Sequence, residues 1–214
     1  MPGSEQRADG AAAILQAATA LFAREGFEPV SVADIAAEAG VSKANVFYHF
    51  ASKEALYLAV MRQISDEHAE YAEGLLVAPG GTAERLRSLF VFELRAMIEN
   101  ETRSRLVLRE FGECETSRAR RLAQKVFERN FRAVVALFEQ GRERGEFAPE
   151  LNPAVAALVW GGAQHVFFQC RDLARGTTEF RAVDSAADYA ESVCELLLSG
   201  LLTRGKSKKE SSKQ

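Results

Sequence analysis

Apolar residues recur along the chain with the period of an α-helix. Near the start they stand at i, i+3, i+4, i+7 and i+8, namely at Ile14, Ala17, Ala18, Leu21 and Phe22. This spacing predicts a helix from about Asp9 to Arg24 with one apolar face. No stretch alternates apolar and polar residues with β-branched enrichment, so no strand is predicted. The expected fold class is all-α.

The five prolines agree with this prediction, because proline is tolerated in the first turn of a helix and breaks its interior. The spans between Pro29, Pro79 and Pro149 are long and have helical periodicity. Later helices are predicted to begin at a Thr82 cap, to cover about residues 103–111, 117–144 and 153–174, and to open at Asp184. The apolar side of the last helix is predicted to contain Val193, Leu196, Leu197 and Leu201.

Two short helices between the first helix and residue 56 have cap signals in the sequence. Ser31 is a natural N-cap, and Asp34 three residues later nearly completes a capping box. Gly40 fits the left-handed position that closes a helix. Ser42 caps the next helix, which is predicted to end near Phe50. Two capped helices joined by AGVS form a helix-turn-helix unit, whose second helix enters the major groove of DNA.

Composition limits the function classes without identifying one. The 214 residues are 47% hydrophobic and 27% charged, which is ordinary for one large or two small globular domains. No apolar run reaches the ~18 residues of a membrane helix, and the start lacks the apolar core of a signal peptide. Three scattered cysteines predict neither a disulfide framework nor a metal knuckle. We therefore expect a cytoplasmic protein without metal or cofactor.

The net charge of −3 does not favour DNA binding through bulk attraction. Residues 1–56 contain four basic and seven acidic side chains, so any DNA contact must depend on local geometry. Residues 205–214 are basic and contain no large hydrophobic residue. They are predicted to be a disordered tail, with weak phosphate or partner contact as the alternative.

The segment SVADIAAEAGVSKANVFYHFASKEAL, residues 31–56, resembles the TetR family of bacterial transcriptional regulators. The matching residues are Phe22, Gly26-Phe27, Val32, Ile35-Ala36, Ala39-Gly40-Val41-Ser42, Tyr48-His49-Phe50 and Ser52-Lys53-Glu54-Ala55-Leu56. The resemblance covers about residues 10–60. It implies a three-helix DNA-binding domain over residues 1–56 and a larger helical domain for ligand binding and dimerisation over residues 57–204. The last two helices of the second domain are then expected to form a homodimer interface.

The resemblance also implies which residues contact double-stranded DNA. They are Ser31 at the start of the second helix, Ser42, Lys43 and Asn45 at the start of the recognition helix, Tyr48 and His49 on phosphates, and Lys53 on the backbone. Chemically, Lys43 can donate to guanine and Asn45 can pair with adenine. The alternative role of Tyr48 and His49 is packing within the protein, and the alternative for Lys53 is an ordinary solvated side chain. Phe47 and Phe50 are interpreted as core aromatics.

The candidate effector pocket depends on weaker signals. Its predicted residues are Phe111, Phe127, Phe131, Trp160, Gln164, His165 and Phe168. A pocket has mostly apolar walls and a few polar groups, but aromatic residues at helical spacing also fit a core. Three locations remain open for the His165 side chain, namely the dimer interface, the pocket and the core. Gly161 and Gly162 fit either close approach at a dimer interface or tight packing within the chain.

These observations predict a transcriptional regulator, by default a repressor that a small, mainly apolar effector releases from a palindromic operator. The three histidines are far apart, and the sequence contains no nucleophile elbow, P-loop or dinucleotide loop, so no enzyme is predicted. Two alternatives remain, which are a helical ligand-binding protein with a vestigial helix-turn-helix and an enzyme that uses the C-terminal helices. Operator binding and ligand turnover would distinguish them.

Overall fold

The computed structural model describes the backbone of residues 2–112, 117–174 and 185–201, and the side chains of residues 10–109, 126–171 and 185–201. Within these ranges the chain forms helices and no strand, which confirms the all-α prediction. The helices are α1 (Pro2–Glu25), α2 (Val32–Glu38), α3 (Lys43–His49), α4 (Lys53–Val77), α5 (Thr82–Glu99), α6 (Glu101–Gly112), α7 (Ser117–Glu143), α8 (Pro153–Ala174) and α9 (Ala186–Leu201).

The chain separates into two compact units. The first unit contains Met1–Glu70 and Ala96–Phe131, and the second contains Tyr71–Arg95 and Arg132–Gln214. The domain boundaries drawn from the family resemblance stay a prediction. The predicted tail, residues 205–214, lies outside the described residues.

The first unit has an apolar core in which α1 packs against α2, α3 and α6. At its centre Phe22, Phe27 and Tyr57 form three ring pairs with centroids 4.9–5.7 Å apart. Val46 of α3 is buried in the same core, and Phe50 packs against it. The predicted core role of Phe50 is therefore confirmed. The two short helices are thus attached to α1 through a few apolar side chains.

The second unit combines an aromatic core with buried polar groups. Trp160 of α8 is 1% exposed and makes edge contacts with Phe90 and Phe138, at centroid distances of 4.9 and 5.7 Å. One turn further along α8, buried Gln164 donates from Nε2 to Oε2 of Glu93, which is also buried, at 2.9 Å. The hydroxyl of Tyr189 on α9 donates to the carbonyl of Ala163 at 2.6 Å. These contacts join α5, α8 and α9.

Two predicted helix starts are wrong. The first helix begins at Pro2 rather than Asp9, and proline suits the first turn of a helix. Thr82 is the first residue of α5 rather than its cap. Its backbone N–H and its hydroxyl both donate to the carboxylate of Glu146, so an acidic side chain distant in sequence satisfies this helix end.

The last helix also differs from its prediction. Asp184 lies outside the described residues, and the hydroxyl of Ser185 accepts from the N–H groups of Ala187 and Asp188 at the start of α9. The buried face of α9 contains Ala190, Cys194 and Leu198. Leu196, which is predicted on the apolar side of this helix, is 72% exposed. Among the described helices, none has the length and hydropathy needed to cross a membrane.

Candidate nucleic-acid interface

The helix-turn-helix begins with a complete capping box at α2. The hydroxyl of Ser31 accepts from the backbone N–H of Asp34 at 3.1 Å, and the carboxylate of Asp34 accepts from the backbone N–H of Ser31 at 2.9 Å. The bond from the Ser31 hydroxyl, followed by the backbone bond, lowers the pKa of Asp34. Gly40 closes the helix with φ of 66°, a conformation that favours glycine. The predicted cap and turn are confirmed.

The predicted recognition helix is α3, and most of its side chains face solvent. The hydroxyl of Ser42 accepts from the backbone N–H of Asn45 at 3.1 Å, which confirms the predicted cap. Lys43 and Asn45 in the first turn are exposed, and Tyr48 one turn later is 61% exposed. The structure thus brings these residues together on an open surface. Their roles toward DNA stay predictions.

Phe47 does not belong to the core, contrary to its sequence-based interpretation. It is 46% exposed, and the Lys43 ammonium lies 5.9 Å from its ring centroid. The reason is helical geometry, since Val46 and Phe50 stand one turn apart on the core side. Phe47 stands one turn after Lys43 and shares its outer face. The same spacing in the sequence could have shown this.

The sequence left two roles open for His49, a phosphate contact and packing within the protein, and the structure shows packing in part. Its ring is half-buried and makes an edge contact with the Tyr48 ring at 5.1 Å. Its Nε2 lies 3.3 Å from the point where a Cβ on Gly10 would stand, so the ring is close to α1. The phosphate contact of His49 stays a prediction. If it forms, it is made by a side chain that also packs against Tyr48 and close to Gly10.

Lys53 requires a correction, because its ammonium is held within the protein. Nζ donates to the backbone carbonyls of Phe27 at 2.8 Å, Glu28 at 3.2 Å and Val30 at 2.9 Å. It also lies 4.1 Å from the centroid of the Phe27 ring. The interpretation of Lys53 as a solvated lysine is wrong, and the structure shows no free donor on it for the DNA backbone. Hydrogen-bond partners 23 to 26 residues away cannot be recognised from a local motif.

The candidate pocket residues fall into two groups. Phe127 packs against the core of the first unit, and Phe131, at the end of that unit, is 37% exposed. Phe111 lies on α6, and its side chain is outside the described residues. In the second unit Trp160 and Gln164 are buried one turn apart, next to Glu93, and Phe168 is buried with the Arg171 guanidinium 4.3 Å from its ring centroid.

His165 is turned differently from Trp160 and Gln164. Its Nδ1 lies 2.6 Å from the carbonyl oxygen of Gly161 on its own helix, and it is half-buried. Gly161 and Gly162 have open space around them, since a Cβ at either would meet no atom of the described residues within 4 Å. Tight packing of these glycines within the described chain is therefore wrong. The dimer interface remains as their predicted place.

Comparison with known proteins agrees with this geometry. A sequence model of the family described as bacterial regulatory proteins, tetR family, matches residues 14–60. A second model, described as tetracyclin repressor-like, C-terminal domain, matches residues 79–168. The chain belongs to the TetR family. Members of this family are helix-turn-helix transcriptional regulators, and the family typically forms homodimers and responds to ligands.

Two relatives show where this TetR-family chain is most similar in sequence. It is 56% identical over 54 residues to the transcriptional regulator RutR of Escherichia coli (strain K12), which is 25% of this chain and 26% of RutR. The chain thus spans about a quarter of the first relatives it matches. It is 28% identical over 142 residues to the transcriptional repressor KstR2 of Mycobacterium tuberculosis, which is 65% of this chain and 70% of KstR2.

Solved structures extend the likeness to the whole fold. The fatty acid degradation regulator FadR of Bacillus halodurans has a TM-score of 0.73 at 20% identity, with 88% of this chain and 98% of that chain covered. The ketosteroid transcriptional regulator KstR2 of Mycobacterium tuberculosis has a TM-score of 0.65 at 20% identity, with 91% and 95% covered. At these identities the likeness shows the fold alone.

Proposed function

We propose that this TetR-family regulator binds an inverted-repeat operator as a homodimer and that a small-molecule effector releases it. The observation that carries the proposal is the exposed surface of α3, where Lys43, Asn45 and Tyr48 extend from a capped helix start. A twofold dimer would place two such helices in successive major grooves, about 34–36 Å apart or a multiple of that spacing.

A gel-shift titration tests the DNA contacts. Wild-type protein is expected to bind its operator and to discriminate against scrambled DNA. Lys43→Ala is expected to relax base preference at one position in each half-site, because lysine donates to guanine O6 or N7 in the major groove, at a cost of about 1–3 kcal/mol. Arg24→Ala is the matched control, since Arg24 is exposed and paired with Glu25 at 2.8 Å. Equal wild-type affinity for both DNAs would contradict the proposal.

The outer face of α8 supports the homodimer. Val155, Leu158, Val159 and Val166 are exposed, and they stand with Gly162 at the spacing of one helix face. Exposed apolar side chains gathered on one face are typical of protein interfaces. Leu158, at 64% exposure, is central in this stripe. Phe168 on the same helix is buried, so it does not belong to this exposed stripe.

Sedimentation velocity tests this interface. Leu158→Glu is expected to convert a micromolar dimer to monomer, because it places a carboxylate in an apolar contact. Glu38→Leu is the control, since Glu38 is exposed on α2, which does not belong to the two helices of the predicted interface. A wild-type monomer would contradict the dimer, whereas a dimeric Leu158→Glu variant would contradict only the location of the interface.

We propose a small, mainly apolar effector for the second unit. Its support is the aromatic interior around Trp160 together with a few buried polar groups, Gln164 and Glu93. The structural neighbours include regulators named for fatty acid degradation and for ketosteroids, which are largely apolar compounds. The effector can release DNA only if it binds the DNA-competent and released conformations with unequal affinity.

A compound screen that follows Trp160 fluorescence and operator release together tests the effector. Trp160 is the single tryptophan of the chain, so a fluorescence change reports on its surroundings. Fatty acids and steroids are expected to change the fluorescence and weaken operator binding in parallel. A compound that changes the fluorescence without affecting DNA binding would contradict the release mechanism.

A further inference from the structure

The connection between α1 and α2, residues 26–30, is hydrogen-bonded to a cation from α4, and a second cation from α6 lies next to its first residue. Lys53 is the first residue of α4, and its ammonium donates to the carbonyls of Phe27, Glu28 and Val30. An ammonium has three N–H donors, so these bonds occupy its full capacity. The Phe27 ring beneath Nζ adds a cation–π contact at 4.1 Å.

The second cation is Arg109 of α6. Its guanidinium nitrogen lies 3.0 Å from the point where a Cβ on Gly26 would stand, so glycine leaves room for this approach. Gly26 also has a φ of 86°, which favours glycine at the end of α1. The carboxyl end of a helix has a partial negative charge, and a guanidinium is favourably placed there.

This connection determines where the helix-turn-helix begins. Val30 is buried in the core of the first unit, and the next residue, Ser31, is the N-cap of α2. A shift of the connection relative to α4 and α6 would therefore shift the start of α2. Since α2 and α3 are separated by a short turn and pack together, α3 would move as well.

We propose that Lys53 and Arg109 are positioning residues for DNA binding that form a clasp on residues 26–30 and thereby orient α3. Lys53 binds three carbonyls of this connection, and Arg109 packs against Gly26 at the end of α1. Lys53 performs this role in place of a phosphate contact. To reach a phosphate it would have to leave its three carbonyl partners, of which those of Phe27 and Val30 are partly buried. A buried carbonyl without its donor is destabilising. The inference rests on DNA binding through α3 as proposed above.

Operator titrations of Lys53→Met over a range of salt concentrations test the clasp. Methionine keeps the length and apolar stem of the side chain and removes its donors. The expected result is a loss of about tenfold or more for operator DNA, with a much smaller loss for scrambled DNA, because specific binding requires base contacts and nonspecific binding does not. The slope of log K against log salt is expected to remain at the wild-type value.

A phosphate-binding role of Lys53 gives a different result. Its removal would lower the affinity for both DNAs alike and reduce the salt slope by about 0.9 for each phosphate that the variant no longer neutralises. Lys53→Arg separates the two roles further. Arginine retains the charge and binds phosphate, but its planar fork differs from the compact ammonium that meets three converging carbonyls. Recovery of wild-type operator affinity in Lys53→Arg, or a reduced salt slope in Lys53→Met, would overturn the proposal.

Arg109→Met provides the independent test. It removes the guanidinium that packs against Gly26, and α6, which contains Arg109, has no predicted DNA contact. It is expected to reduce operator preference in the same way as Lys53→Met, with an unchanged salt slope. Arg24→Met, an exposed arginine at the end of α1, is the control and is expected to behave as wild type. Circular dichroism identifies the temperature range in which each variant is folded, and titration against excess operator gives the active fraction.

A purely structural role would lower the active fraction and leave the dissociation constant of the active molecules unchanged. That outcome would overturn the clasp as a positioning device. Unchanged binding by both variants would do the same and leave the proposed function intact. If Lys53→Met does not fold, Arg109→Met alone decides the question. An absence of operator preference in the wild-type protein would overturn the proposed function together with the clasp.

Discussion

The α2–α3 segment and the second unit of this protein are stabilised by different kinds of polar contact. In the first unit, the caps of α2 and α3 join residues three positions apart. In the second unit, polar contacts join residues that are distant in sequence, such as Thr82 with Glu146 and Gln164 with Glu93. The α2–α3 segment therefore depends strongly on local signals, and the second unit depends on tertiary partners. Substitutions that remove one kind of contact measure this difference.

Trp160→Ala is expected to have the largest effect on stability. Trp160 fills the centre of the second unit between Phe90 and Phe138, and loss of a buried large aromatic side chain costs about 3–5 kcal/mol. Thermal and urea unfolding followed by circular dichroism measure the loss without need of tryptophan fluorescence.

Trp160→Phe is the matched control for this prediction. The indole Nε1 has no hydrogen-bond partner among the described residues, so the smaller ring loses packing but no observed hydrogen bond. Its cost is expected to lie well below that of alanine. If both variants lost equal stability, ring packing would not be the dominant contribution of Trp160.

Glu93→Ala is expected to have an intermediate effect. It removes the acceptor of the Gln164 amide while that amide stays buried, and an unsatisfied buried donor costs about 1–3 kcal/mol. Glu93→Gln retains an amide oxygen that can accept the same bond, so it is expected to be the milder change. Chemical unfolding of the two variants at one temperature tests the order, and a milder alanine variant would show that the Gln164 bond contributes little.

The same difference explains which features the sequence could predict. Ser31, Gly40 and Ser42 follow capping and turn rules that operate within four residues, and the structure confirms each of them. The start of α5 could not be predicted in this way, because the group that satisfies it is Glu146, 64 residues further along the chain. Helical periodicity located α9 but did not distinguish the buried Cys194 and Leu198 from the exposed Leu196, since several apolar stripes compete on a helix that is rich in leucine.

Within the candidate site, prediction failed where a side chain has two plausible environments. Phe47 is aromatic and was placed in the core, although α3 is too short to bury more than one side, which Val46 and Phe50 occupy. For Lys53 the solvated alternative is wrong, because its three carbonyl partners are visible only in the folded chain. Its implied contact with the DNA backbone stays a prediction. The pocket residues stay predictions because aromatic spacing alone does not distinguish a cavity wall from a core.

Ser31→Ala is expected to have the smallest effect on stability. It removes the side-chain half of the capping box at α2, and loss of such a cap costs typically about 1 kcal/mol. Ser31→Asp is the control, because aspartate is an equally good N-cap residue. Urea unfolding measures both variants, and a Ser31→Ala cost equal to that of Trp160→Ala would contradict the ranking.

The pH dependence of this cap sharpens the test, because the Ser31 hydroxyl is the largest cause of the lowered pKa of Asp34. A carboxyl group whose pKa is lower in the folded state stabilises the fold above its unfolded pKa, near 3.8, and loses that contribution as the pH falls through the folded value. Ser31→Ala is therefore expected to raise the pKa of Asp34 toward 3.8, as measured by NMR titration of its carboxyl carbon. The backbone bond from Ser31 remains in the variant, so the shift is expected to be partial.

Because the hydroxyl bond favours the ionised carboxylate, the stability difference from wild type should be largest at neutral pH and smaller in acid. An Asp34 titration that is the same in both proteins would show that the hydroxyl does not stabilise the carboxylate.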